Sequence, residues 1–120
     1  MANETVLVIE DNEMNMKLAR SLLQIGNYCI LEAIDVEFGI QMAREHHPDL
    51  ILMDIQLPDM DGLTAIRVIK NDLEVKDITV VALTSYAMEG DEKKAMDVGC
   101  AGYIAKPIDT RSFLETLGKF

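Results

Sequence analysis

Leu50-Ile51-Leu52-Met53-Asp54 sets four apolar residues in a row and ends them on a carboxylate, and the same design recurs along the chain. Val6-Leu7-Val8-Ile9 ends in Glu10-Asp11, Val80-Val81-Ala82-Leu83 ends in Thr84, and Tyr103-Ile104-Ala105 ends in Lys106-Pro107. An unbroken apolar run bounded by polar residues suits a strand covered on both faces, the condition of a parallel sheet between two layers of helices. Ligands of such sheets bind beyond the carboxyl ends of the strands. The four polar endings are therefore expected to meet at one edge, where three acids, a hydroxyl and an ammonium make a place for a divalent cation and a phosphoryl group.

The chain has 120 residues, enough for one core and not for a second folded unit, so a single domain over residues 1–120 with no output domain is expected. Hydrophobic residues make up 49% of it, yet no apolar stretch approaches the roughly 18 residues of a membrane span. Met1-Ala2-Asn3-Glu4 lacks the basic and apolar regions of a secretory signal, which leads to an expected cytoplasmic location. The formal net charge of -10 repels nucleic acid, whose backbone is bound by Lys and Arg. Cys29 and Cys100 show neither metal-ligand nor redox spacing and are read as buried or half-buried thiols without a disulfide.

Between the runs the period changes to that of helices. Met14, Leu18, Leu22 and Ile25 mark a first helix, capped by Asp11 or Asn12 and stopped at Gly26-Asn27. Tyr28 to Ala33 reads as the second strand, and Val36, Ile40 and Ala43 mark a helix ending near His46-His47-Pro48. Asp49 to Asp54 is the third strand, Pro58 to Gly62 a loop, and Ile66, Ile69 and Leu73 the third helix. Thr79 to Thr84 is the fourth strand and Gly102 to Ala105 the fifth. Between Gly90 and Gly99 a charged segment with only Ala95, Met96 and Val98 to bury reads as a weakly anchored fourth helix. Phe113, Leu114 and Leu117 make the last helix after an Asp109 cap. Five strands alternating with five helices predict an α/β, doubly wound, flavodoxin-like sheet of order 2-1-3-4-5.

Glu10, Asp11 and Asp54 carry the chemical reading. Carboxylates gathered at strand mouths repel one another by a few kcal/mol per close pair at an effective dielectric near 20. A bound cation removes that cost. Mg2+ prefers octahedral oxygen ligands and typically takes one or two carboxylates plus a substrate phosphate. Asp11 and Asp54 are expected as direct ligands, with Glu10 acting through water and the Gln56 carbonyl completing the shell. Asp54 is the expected nucleophile towards phosphorus, Lys106 the ion pair for the new phosphoryl oxygens, and Thr84 the hydroxyl donor to one of them. Taken singly, Asp11 reads as a helix cap, Asp54 as a strand-ending acid and Lys106-Pro107 as a strand exit; together they read as a site. Pro58-Asp59-Met60-Asp61-Gly62 is read as a tight turn in preference to a second metal site on Asp59 and Asp61, and His46-His47 as surface in preference to ligands. No Gly-rich phosphate loop, Ser-His-Asp set or Cys-His pair is present.

Glu10-Asp11, Asp54 followed by Pro58 and Gly62, Thr84, Tyr103 and Lys106-Pro107 together resemble the signature of the response-regulator receiver domain over essentially the whole chain. The stretches EDNEMNMKLARSLL, DLILMDIQLPDMDGL and TSYAMEGDEKKA are similar to the DivK-type single-domain regulators of bacterial cell-cycle phosphorelays, and also to receivers fused to hybrid histidine kinases. The resemblance implies phosphorylation of Asp54 by a phosphohistidine of a histidine kinase or phosphotransfer protein, Mg2+ at Glu10, Asp11 and Asp54, and a switch through Thr84 and Tyr103. Ser85 departs from the small apolar residue that many members carry there.

The leading expectation is a monomeric phospho-acceptor switch that signals to a downstream protein through the face formed by the segment between Gly90 and Gly99 and the last helix. Its catalysis would be self-directed, with no nucleic acid or membrane insertion. The alternative is a Mg2+-dependent phosphatase or phosphotransferase with an aspartyl-phosphate intermediate; such enzymes usually carry a second acid two residues after the nucleophile, where this chain has Gln56. A third reading is an interaction module that keeps its acids unused. Met14, Met16, Met60 and Met88 fall near the same edge and are read either as adaptable partner contacts or as rim of the core.

Overall fold

The computed structural model describes residues 4–54, 62–84, 96–97, 99–105 and 108–120. Strands β1 (Thr5–Ile9), β2 (Cys29–Ala33), β3 (Leu50–Asp54), β4 (Thr79–Thr84) and β5 (Gly102–Ala105) alternate with helices α1 (Glu13–Ile25), α2 (Val36–His46) and α3 (Gly62–Asn71), and α4 (Phe113–Leu117) follows β5. The strands form one parallel sheet of order β2-β1-β3-β4-β5, as predicted. Four helices lie among the described residues. The expected helix between Gly90 and Gly99 falls largely outside them, as does the judgement that it is weakly anchored. Met96, which was assigned to its buried side, is 46% exposed.

The strand runs are apolar at every position because their side chains feed two cores in alternation. Leu7, Ile9, Ile51, Met53, Val80 and Ala82 pack with Val36, Ile40 and Ala43 of α2 and Ala65, Ile66 and Ile69 of α3. Val6, Val8, Leu50, Leu52, Val81 and Leu83 pack on the other face with α1 and α4. Among the described residues no helix is long and apolar enough to cross a membrane.

Local signals placed most boundaries. Asn12, rather than Asp11, caps α1 by accepting a hydrogen bond from Asn15 N, and Asp35 caps α2 by accepting one from Phe38 N. Gly26-Asn27 ends α1, with the left-handed conformation on Asn27 at φ 63°. Other expectations need correction. α1 buries Met16, Ala19, Leu22 and Leu23, and Leu18 packs against them, so the middle of the expected stripe faces the core while its ends, Met14 and Ile25, are exposed. Leu73 lies beyond the end of α3 and is 82% exposed. Asp109 caps a preceding turn, its side chain accepting from Arg111 N, and α4 begins after Ser112. Both cysteines are free, but only Cys100 is buried; Cys29 is exposed on the edge strand β2.

Candidate metal centre

β1 and β3 lie side by side in the sheet although some forty residues of chain separate them, and their register sets Ile9 opposite Met53. The next residues on each strand are Glu10 and Asp54, so the two acids arrive at the carboxyl edge level with each other. Both are nearly fully buried, at 1% and 4% exposure, whereas Asp11 is exposed at the rim. Carboxylate oxygens of all three lie within 4.8 Å of one another. The three acids that the sequence singled out are thus brought together.

The chain around Glu10 is held by its neighbours. Its backbone N–H donates to the Ala33 carbonyl at 3.0 Å, tying it to the end of β2, and its Oε2 accepts from Asn12 N at 3.2 Å. Because Asn12 makes the cap, Asp11 is left to join the acid cluster. The Ala33 contact was not anticipated; nothing in the side chain of an alanine signals that its carbonyl will anchor a site.

At 4.8 Å and an effective dielectric near 20, the repulsion between Glu10 and Asp54 as two anions is about 3–4 kcal/mol. The donor set fits a hard octahedral cation. With metal–oxygen distances of about 2.1 Å, ligand oxygens on one ion lie about 3 Å apart when adjacent and about 4.2 Å when opposite. A 4.8 Å cluster accommodates two direct ligands and a third carboxylate reaching through water.

The remaining expected site residues are unevenly described. Thr84 ends β4 and pairs in register with Ala105, one position past the level of Asp54 opposite Leu83. This puts its backbone on the strand beside the acids, at the same edge. Tyr103 sits on β5 opposite Ala82 and is 37% exposed. Gln56, Lys106 and Pro107, together with Asp59, Asp61 and Ser85, lie outside the described residues. Of the four methionines read near this edge, Met16 is core at 5% exposure, Met14 is 76% exposed, and Met60 and Met88 lie outside the described residues.

Comparison with known proteins bears on the family and the fold. The family described as the response regulator receiver domain matches residues 6–118. A Brucella ovis protein named polar-differentiation response regulator DivK is 46% identical over 120 residues, covering 98% of this chain and 95% of the relative. The receiver domain of a Pseudomonas aeruginosa sensor histidine kinase, solved with a magnesium ion coordinated in its active-site cleft, superposes with a TM-score of 0.88 at 29% identity, covering 98% of this chain and 97% of that one. A Saccharomyces cerevisiae receiver domain, solved with a histidine phosphotransfer protein, superposes with a TM-score of 0.82 at 27% identity, covering 98% and 86%.

Proposed function

This chain belongs to the response regulator receiver domain family, and from that premise we propose that it is a Mg2+-dependent phosphoryl acceptor in a two-component phosphorelay. It is a DivK-like signalling protein rather than a classical enzyme. The observation that carries the proposal is the meeting of Glu10, Asp11 and Asp54 within 4.8 Å at the carboxyl edge of β1 and β3.

Asp54 is the acceptor. One of its carboxylate oxygens attacks the phosphorus of a phosphohistidine on a kinase or phosphotransfer protein; the O–P bond forms, the N–P bond breaks, and the imidazole nitrogen keeps the electron pair and takes up a proton. Bound Mg2+ would supply charge neutralisation for the transferring phosphoryl oxygens. Asp11 and Asp54 would hold the ion directly, with Glu10 acting through water and the Gln56 carbonyl completing the shell. Lys106 pairs with the phosphoryl oxygens and Thr84 donates its hydroxyl. Thr84 moving toward the new group opens room for the Tyr103 ring, and the resulting surface is read by a downstream protein. The DivK relative supports a role in cell-cycle or developmental control, the magnesium-bound Pseudomonas receiver supports the metal, and the yeast complex supports a phosphotransfer partner.

The test is labelling with acetyl phosphate and Mg2+, followed by intact-mass and peptide analysis. The expected result is one phosphoryl group on Asp54, dependent on Mg2+ and absent in Asp54→Asn. Labelling elsewhere, or equal labelling of the variant, removes the proposal.

A further inference from the structure

The start of α2 carries two apolar side chains that stay exposed. Ile34 is 67% exposed and Phe38 is 49% exposed, on either side of the Asp35 cap in the chain. An apolar residue just before a helix cap ordinarily packs against the fourth helical residue. Here that residue is Gly39, which has no side chain to offer and is held small because a Cβ would lie 2.5 Å from Ile9 Cδ1. Ile34 therefore has no staple partner. Beside it, Asp35, Glu37, Phe38 and Gln41 line a shallow open groove of about 230 Å³.

This patch adjoins the acid cluster. Ala33, the residue before Ile34, accepts the backbone hydrogen bond of Glu10 and is level with Ile9 across the β1–β2 pair. One strand spacing plus one residue along the chain puts the Ile34 backbone within about 10 Å of Glu10. A protein that presents a phosphohistidine to Asp54 must stand over the cleft, and an ordinary interface of about 800 Å² per partner extends roughly 16 Å from its centre. Such a donor covers the start of α2.

We infer that Ile34 and Phe38 form a docking arm for the phosphohistidine-bearing protein, which meets them with an apolar side chain flanked by Lys or Arg. The basic flank is set by Asp35 and Glu37, which line the groove beside Phe38, in a chain of net charge -10. This rests on Asp54 being the phosphoryl acceptor and assigns the arm a part in choosing the donor. A small phosphodonor needs no docking surface, and that difference separates the arm from the chemistry.

The experiment compares wild type with Ile34→Ser/Phe38→Ser and with Glu37→Lys. Each receives acetyl phosphate or the radiolabelled histidine kinases and phosphotransfer proteins of the source genome, purified individually. The expected result is unchanged acetyl phosphate labelling, with transfer from the preferred protein donor slowed at least tenfold in the double variant and made less salt-sensitive by Glu37→Lys. Protein-donor rates within twofold of wild type in both variants overturn the docking arm alone. Wild type that takes no phosphoryl group from acetyl phosphate or any protein donor overturns the acceptor reading and the arm with it. Circular dichroism confirms that each variant is folded, and Glu37→Lys keeps the inference testable if the double variant is not.

Discussion

Gly39 of α2 lies so close to Ile9 of β1 that a Cβ on the glycine would come within 2.5 Å of Ile9 Cδ1 and 2.8 Å of its Cγ1. Ile9 is fully buried and immediately precedes Glu10, so this contact sets how tightly α2 is drawn against the strand that delivers the first acid. Gly39→Ala brings two opposed effects: about 1 kcal/mol gained in helix propensity, and about 1–3 kcal/mol lost to overpacking against a side chain that cannot swing into solvent. The expected outcome is a net loss of about 1 kcal/mol in urea unfolding. Stability equal to or above wild type would mean that Ile9 repacks freely and the contact constrains nothing.

Magnesium is expected to raise the melting temperature. Binding to the native state alone stabilises by about 1.4 kcal/mol when the free ion is at ten times its dissociation constant, and a chelator reverses it. Asp54→Asn removes one charge from the cluster, so without metal it should melt no lower than wild type, and it should lose most of the Mg2+-dependent rise. A variant with the full wild-type rise would show that the ion binds elsewhere.

Tyr103 is 37% exposed on β5, the strand that pairs with the end of β4. If its ring moves inward on activation, hydroxyl-radical footprinting should show at least a twofold fall in Tyr103 modification when beryllofluoride and Mg2+ are added. Thr84→Ala should blunt that fall. Unchanged modification would take Tyr103 out of the switch.

Arg20 and Glu32 join α1 to β2 fork to fork, with Nε donating to Oε2 at 2.6 Å and Nη2 to Oε1 at 2.7 Å. The hydrogen bonds from Arg20 hold the Glu32 carboxyl below its ordinary value of 4.5, outweighing the partial burial that acts the other way. A group whose folded pKa is depressed stabilises the fold above the unfolded value and loses that stabilisation as the pH falls through the folded one. Arg20→Met should therefore be less stable than wild type at neutral pH, and the gap should close below about pH 4.5. Both side chains are at least a third exposed, at 40% and 35%, so the gap should be small and should narrow in salt. A gap that persists at pH 2 would assign the loss to packing of the Arg20 stem instead.

The two thiols should differ sharply in reactivity. Burial pushes the Cys100 thiol up to about 11, leaving almost no thiolate at neutral pH, while Cys29 is exposed. A colorimetric thiol titration of native protein should count one reactive group, rising to two in denaturant. Two fast groups in the native state would show that the turn before β5 opens readily.

Much of the fold was legible because β1, β3 and β4 are apolar on both faces and stop on a polar residue. That pattern named the strand ends of β1, β3 and β4, and hence Glu10, Asp11 and Asp54, without reference to any contact. Helix faces were less legible. Met14, Ile25 and Leu73 are apolar at helical spacing yet exposed, because periodicity records only where apolar residues recur and not how the helix is rolled against its sheet. The cap of α1 was ambiguous for a related reason: Asp11 and Asn12 have equal chemistry for the task, and only backbone geometry chose Asn12.

By itself the sequence determined the kind of structure: alternating elements, a sheet covered on both faces, and acids at the strand mouths. These follow from local burial patterns and turn chemistry, which neighbouring residues carry. Only the tertiary structure decided that Glu10 and Asp54 stand level within one cluster, since strand adjacency and register are set by crossovers and backbone hydrogen bonds between distant segments. It also decided that Ile34 faces solvent beside the cleft. Its usual packing partner is absent because α2 must approach β1 more closely than any residue but glycine allows at position 39.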